Sequence, residues 1–279
     1  MHNSGTDSKA MKAMNEGQQK VCVIMSVLLL VAFGANVAYS AVSIIFPNTV
    51  LSKGLTSTYT GIIIAGYPVA MMLGTNLFTV LLNKCGKKLT LMIGIMLQAI
   101  SLFVFGYANY IPGAGNGKYI FFVVCFCCRL AQGFGNGCIN AATSSIIAFN
   151  YADRMGFLMG MQQIFNNAGM LAGPLIGSEI KELFGYVWAF NVNGILLGLL
   201  FIVSQVVYPY DPPLGQFEGG ENKGGGADIT VGRLLRRFNV LSVAGCTCCA
   251  LFGFTFKESI LEPTCMNYFG LSSNDTAMV

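Results

Sequence analysis

Apolar residues in this chain gather in long runs rather than in the alternating or three-and-four spacing of a half-buried element. Seven such runs can be read, at 21–46, 61–82, 89–108, 120–148, 157–178, 187–207 and 239–261. A helix needs about 20 apolar residues to cross the ~30 Å hydrocarbon core of a bilayer, so each run predicts a membrane-spanning helix. Gly66, Pro68, Gly133, Gly173 and Pro174 lie inside these runs. Spanning helices tolerate such residues where a neighbouring helix packs closely on them. The predicted fold class is an all-α membrane protein.

Composition strengthens that reading. The chain of 279 residues is 54% hydrophobic and 10% charged, against roughly 25% charged in a soluble domain, which argues against a soluble helical core. Lys and Arg then set the orientation. With the N-terminus in the cytoplasm, the inner segments hold Lys9, Lys12, Lys20, Lys84, Lys87, Lys88, Arg154, Lys223, Arg233, Arg236 and Arg237, whereas the outer side holds Lys53, Lys118 and Lys181. Arg129 and Lys257 fall inside predicted helices. The predicted organisation is a disordered cytoplasmic tail at 1–20, a six-helix bundle at 21–208, a cytoplasmic linker rich in Pro and Gly at 209–238, and the start of a second bundle at 239–279. The first apolar run is too long for the core of a secretory signal, so no cleavage is expected. Residues 229–238 read either as a short amphipathic helix on the headgroups or as ordinary inner-side charge.

The ten cysteines include two clusters, Cys125, Cys127, Cys128 and Cys246, Cys248, Cys249, both within apolar runs. They read as small polarisable packing residues rather than metal ligands. His2, the single histidine, lies in the tail. Neither a metal nor another cofactor is expected.

In the fourth run, Arg129, Gln132, Asn136, Asn140 and Ser144 recur at helical spacing and form one polar stripe. An Arg at the middle of a spanning helix costs ~2.5 to 3.5 kcal/mol on insertion scales, so Arg129 should face a cavity or a partner, in a functional or a purely structural role. The glycines of GFGNG, residues 133–137, follow no strand, so they read as helix contacts rather than a nucleotide loop.

Arg129-Leu-Ala-Gln132-Gly133-Phe-Gly135 resembles the fourth-helix RxxQGxG motif of the major facilitator superfamily. Gly169-Met-Leu-Ala-Gly173-Pro174-Leu-Ile-Gly177 is similar to the fifth-helix GxxxGPxxGG motif of its antiporters, with Ser178 at the last glycine. Asn83-Lys84-Cys85-Gly86-Lys87-Lys88 resembles the DRxGRR/K loop between the second and third helices. Here Asn83 stands in place of the acid and Thr79 in place of the preceding glycine, which removes the carboxylate on which a charge-based latch would rest. Leu261-Glu262-Pro263 and the following FGLSS are similar to vesicular amine transporters and related drug/proton antiporters.

The resemblance implies two six-helix bundles that rock about a midplane substrate site. It also gives meaning to a gapless echo at an offset of 216 positions, which matches Pro47 with Pro263, Gly54 with Gly270, Leu55 with Leu271, Ser57 with Ser273 and Thr60 with Thr276. The seventh helix then corresponds to the first, and roughly 147 residues of a second bundle are expected beyond Val279 by the twofold logic of that fold. Transport is not expected of the 279 residues alone.

Asn36, Tyr39, Ser40 and Ser43 of the first helix share one face. With Gln132, Asn136 and Asn140 of the fourth and Gln162, Asn166 and Asn167 of the fifth, they form the expected substrate pathway; the same groups can instead serve as interhelical glue. Proton coupling needs a buried carboxylate. Glu179 and Glu182 fall at a helix end, which leaves Glu258 and Glu262, beside Lys257, as candidates together with the Arg129 charge network. The expected function is proton-coupled antiport of an organic cation or drug-like molecule, or else proton-independent facilitation or symport of another small solute. A seven-helix receptor is disfavoured by an inner N-terminus, and an enzyme by the lack of a histidine partner for any nucleophile. The sequon at Asn274 lies too close to a helix for modification to be expected. The partners are a small-molecule substrate, protons and the lipid bilayer, with no nucleic acid. The membrane is the plasma membrane or that of an intracellular vesicle.

Overall fold

The computed structural model describes residues 4–208, together with the isolated positions Ser242 and Cys249. The linker, the seventh helix, Glu258 and Glu262 therefore lie outside the described residues. The regular elements are helical: α1 (Ser4–Ser52), α2 (Ser57–Tyr107), α3 (Gly117–Asn150), α4 (Met155–Phe184) and α5 (Tyr186–Val207), with single 3-10 turns at Ala108–Tyr110 and Ala152–Arg154. Four stretches, Cys22–Ser52, Val80–Tyr110, Gly117–Asn150 and Tyr186–Val207, are each long and apolar enough to cross a membrane.

Two features differ from the hydropathy pattern. The backbone is helical from Ser4, so helix replaces the disordered tail expected over the first twenty residues. Ala, Lys, Met, Glu and Gln dominate that segment, and these good helix formers extend a helix that the following apolar span has already nucleated. The second and third spans, in turn, belong to one long element that is broken at Gly86, whose φ of 82° and ψ of 169° leave the helical region. Only glycine adopts that conformation without strain. Near Gly133 and Gly135, α3 touches Tyr67 on the first arm of α2 and Gly94 and Gln98 on the second. The two arms therefore lie side by side, and Gly86 marks one end of the bundle while the Ala108–Tyr110 turn marks the other.

Four of the helices share a core at the Tyr110 end. Phe46 of α1 meets Phe105 of α2 at a tilt and stacks on Phe121 of α3, at centroid distances of 5.0 and 6.0 Å. Phe105 continues the set to Phe190 of α5 at 5.1 Å, and Phe190 to Tyr186 at 5.0 Å. Phe46, Phe105, Phe121 and Phe190 are all fully buried. Lys53 closes this end, because its Nζ donates to the carbonyls of Asn109 and Ile111 at 2.7 and 2.8 Å.

Helix α4 is the exception in composition. Its 30 residues are long enough to span a bilayer, yet with Gln162, Gln163, Asn166 and Asn167 in its first half it alone of the five contributes none of the four apolar stretches. Such amides are tolerated in a membrane where they find partners on other helices. That requirement leads directly to the polar interior.

Candidate functional site

Three helices bring polar groups together inside the bundle. On α3, Arg129, Gln132 and Asn136 are buried, while Asn140 and Ser144 are half-buried. The spacing read from the sequence therefore does place them along one inward stripe. Arg129 is fully enclosed. Its Nη1 donates to Gln132 Oε1 at 3.0 Å, one helical turn away, and its Nη2 to the backbone carbonyl of Tyr39 on α1 at 3.3 Å.

Rings supply the rest of its surroundings. The guanidinium carbon lies 5.5 Å from the ring centre of Tyr39, 5.7 Å from Tyr67 and 5.8 Å from Phe105. Tyr39 and Tyr67 themselves meet at 4.2 Å. The negative faces of aromatic rings attract a guanidinium, and the attraction grows when water is excluded. This matters because the sequence has no Asp or Glu between Glu16 and Asp153, and Glu179 and Glu182 of α4 are exposed. Several polar atoms here are buried without a hydrogen-bond partner, namely Arg129 Nε, Gln132 Nε2 and Asn136 Oδ1. Donor and acceptor capacity is thus held in reserve beside a buried positive charge.

Helix α4 is tied to this stripe from two sides. Asn36 Nδ2 of α1 donates to Asn166 Oδ1 at 2.9 Å, and Gln162 Nε2 donates to Asn140 Oδ1 of α3 at 3.4 Å. Asn136 turns elsewhere, toward Met71 Sδ at 3.9 Å. Gln163 and Asn167 face outward and bond to one another at 3.2 Å. Close approach of α1 and α4 depends on glycine. A Cβ at Gly169 would stand 2.5 Å from Phe33 O, one at Gly173 would collide with Ser40 Oγ and lie 2.6 Å from Val37 O, and one at Gly177 would stand 2.9 Å from Ala41 Cβ. Ser40 uses the space to approach the carbonyl of Gly169 at 3.4 Å. Pro174 lies within the same helix, and it removes one backbone donor next to Gly173.

The basic turn sits at the Gly86 end. Lys88 Nζ donates to the carbonyl of Gln205 at 3.0 Å, in the last turn of α5. Carbonyls there lack intrahelical partners and carry the negative end of the helix dipole, so a lysine is well suited to them. Lys87 is buried, with its Nζ 4.7 Å from the ring centre of Phe149 near the end of α3. Asn83 is exposed. The turn thus fastens α2 to α5 and α3 through its cations.

Sequence reasoning missed Tyr67 and Gln98. Tyr67 stands between Gly66 and Pro68, and a polar ring beside two helix-contact residues was the available signal. Gln98 is the lone amide of the third apolar run; it is buried and donates to the carbonyl of Ala35 at 2.9 Å, which joins α2 to α1.

Comparison with known proteins agrees with this architecture. Residues 28–278 match the Major Facilitator Superfamily. The rat protein named MFS-type transporter SLC18B1 is 25% identical over 248 residues, which is 88% of this chain and 51% of that protein. The mouse protein of the same name is 26% identical over 252 residues, with the same two shares. Quinolone resistance protein NorA of Staphylococcus aureus is 25% identical over 169 residues, or 60% of this chain and 40% of its own length. The chain spans about half the length of the curated relatives it matches.

Proposed function

Because the chain belongs to the major facilitator superfamily, we propose that it supplies the first helical bundle of a transporter that moves a small organic solute across a membrane by alternating access. The observation that carries this reading is the polar seam on which α1, α3 and α4 converge, with Arg129 buried at its core. Polar groups at such depth are costly, and in membrane proteins they mark substrate and ion pathways. Asn36, Tyr39, Gln132, Asn136, Asn140, Gln162 and Asn166 are the proposed substrate contacts. The glycine face of Gly169, Gly173 and Gly177 with Pro174, and the turn of Asn83, Gly86, Lys87 and Lys88, are the proposed conformational elements. A cytoplasmic N-terminus is part of this proposal, and the distribution of Lys and Arg supports it.

The finer proposal is proton-coupled antiport of an organic cation or drug-like molecule. Its support is the antiporter-like glycine face and the kinship to a protein named for quinolone resistance. Glu262, and after it Glu258, would carry the proton, and Arg129 would supply the opposing charge.

Uptake by vesicles that hold a protein of the relatives' length containing this chain tests both levels. Ethidium and a quinolone serve as probes. Accumulation that rises with an imposed pH gradient, and falls at least about tenfold in Arg129→Gln and Glu262→Gln variants, is the expected result; tenfold corresponds to about 1.4 kcal/mol. Flux indifferent to the gradient would instead favour a facilitator, the reading supported by the lack of acidic residues from 17 to 152. Failure of both probes to accumulate above protein-free vesicles would count against transport of this solute class.

A further inference from the structure

At the Tyr110 end, away from the polar seam, a cleft of about 420 Å³ opens between the end of α2, the Ala108–Tyr110 turn and the start of α5. Tyr107, Tyr110, Tyr186 and Trp188 line it together with Asn109 and Asn191. No residue of its lining carries a formal charge. The volume falls in the ~300–1,000 Å³ range of small-molecule sites. Its walls are fixed from two sides: Lys53 bonds to the carbonyls of Asn109 and Ile111, and α4 turns into α5 at Gly185, whose φ is 91°.

Aromatic side chains collect at membrane interfaces as anchors, and such rings ordinarily spread over the lipid-facing surface. Here they gather around a concavity. Tyr107 and Tyr110 stack at 6.3 Å, and both rings, like that of Trp188, are more than half exposed. A second observation concerns the amide beside them. Asn191 is 6% exposed, and its Oδ1 is buried without a hydrogen-bond partner. An unpaired carbonyl oxygen in an apolar setting is costly. That oxygen packs toward Gly106 of α2, behind the cleft wall, where it leaves the negative end of a dipole beneath rings whose faces are also negative. With the Lys53 ammonium already taken up by two carbonyls, a cleft lined by neutral rings of this polarity favours a cation over an anion, and a weakly hydrated alkylated ammonium over a metal ion, because its apolar surface is buried along with its charge.

We propose that this cleft is a binding site for an alkylated ammonium group, held by the rings of Tyr107, Tyr110 and Trp188 next to Asn191. The site is separate from the proposed transport pathway and does not depend on it. Such a group can come from a free solute or from a choline lipid headgroup, since Tyr186 begins a membrane span and the cleft therefore lies at headgroup depth.

Trp188 is the single tryptophan of the chain, so its fluorescence reports on the cleft alone. The 279-residue chain in phosphatidylglycerol nanodiscs is titrated with benzyltrimethylammonium at about 0.5 M salt, which screens the lipid surface to within several ångströms. A saturable change in Trp188 emission is expected, with the uncharged isostere neopentylbenzene binding at least about fivefold more weakly. Tyr110→Leu and Asn191→Leu should each weaken the ammonium by about five- to tenfold. Tyr110 is 73% exposed, so its replacement leaves the fold intact and keeps the test decisive if the Asn191 variant does not fold. In phosphatidylcholine nanodiscs, a lower apparent affinity identifies the lipid headgroup as the resident ligand, and an unchanged one identifies a free solute. An emission change linear in concentration, an equal response to the isostere, or an undiminished response in Tyr110→Leu would overturn the proposal and leave an interfacial aromatic belt.

Discussion

The α1–α4 and α2–α3 contacts are both opened by glycine, yet they use the space differently. Along α4, Gly169, Gly173 and Gly177 recur every four residues, and their absent side chains admit Asn36, Ser40 and Ala41 of α1. That space is used for polar contacts, Asn36 with Asn166 and Ser40 with the carbonyl of Gly169. Between α2 and α3 the glycines stand on both helices. A Cβ at Gly94 would stand 2.7 Å from Gly135 O, one at Gly135 would stand 2.8 Å from Gly94 O, and one at Gly133 would run into Tyr67 O. Rings fill the remaining room, as Phe78 seats against Gly74 and Gly137 and meets Phe134 edge-on at 4.9 Å. The first contact is a polar seam; the second is a dry wall of backbone and rings. Small residues thus set how near two helices come, while their neighbours decide what the nearness is used for.

That comparison ranks substitutions. Gly133→Ala should cost the most, about 3 kcal/mol, at the upper end of overpacking penalties. Its new methyl group meets the backbone of Tyr67, and only separation of the helices relieves the collision. Gly173→Ala should cost less, about 1–2 kcal/mol, because one of the two atoms it meets is the Ser40 hydroxyl, which can rotate away, although Val37 O cannot. Unfolding by increasing fractions of denaturing detergent, followed by circular dichroism, measures both. The reverse order would show that the polar seam, and not the dry wall, is the more rigid contact.

The fold was legible wherever a single physical quantity decided it. Apolar length located the helices because a bilayer admits little else. The polar stripe on α3 followed from helical periodicity, and the burial of Arg129 from the cost of exposing it to lipid. What escaped was information that lies between helices. Periodicity places Asn36 and Asn166 each on an inward face, but their pairing depends on the register of α1 against α4. Tyr67 was hidden for the same reason, since a tyrosine in an apolar run gains its significance only once Arg129 and Tyr39 are set beside it. The helical start of α1 escaped because polarity was read as a tail, whereas propensity and an adjoining span favour continuation.

A smaller effect separates the hydrogen bonds of the seam from its packing. In a double-mutant cycle on Asn36→Ala and Asn166→Ala, the coupling should be about 0.6 kcal/mol and no more than about 1.7, the range for interhelical bonds in membranes. Part of the Asn36 amide remains satisfied within its own helix, since Nδ2 also donates to Ala32 O at 2.8 Å. A coupling near zero would mean that glycine packing alone holds α1 to α4, and the contrast with α2–α3 would rest on geometry rather than polarity.

The most diagnostic control is a change of comparable size and opposite sign. Gly160 belongs to the same helix as Gly173, but a Cβ built there finds nothing within 4 Å. Replacing it with Ala removes a residue that weakens helices and adds no collision, so Gly160→Ala should stabilise the chain by about 0.5–1 kcal/mol. Gly160→Ala and Gly173→Ala are the same chemical change in one helix and differ only in what lies opposite. If both destabilised to a similar degree, α4 would be intolerant of any added methyl group, and its glycines would reflect a need for a pliable backbone rather than the approach of α1. Opposite signs would tie the requirement at Gly173 to its neighbours Ser40 and Val37.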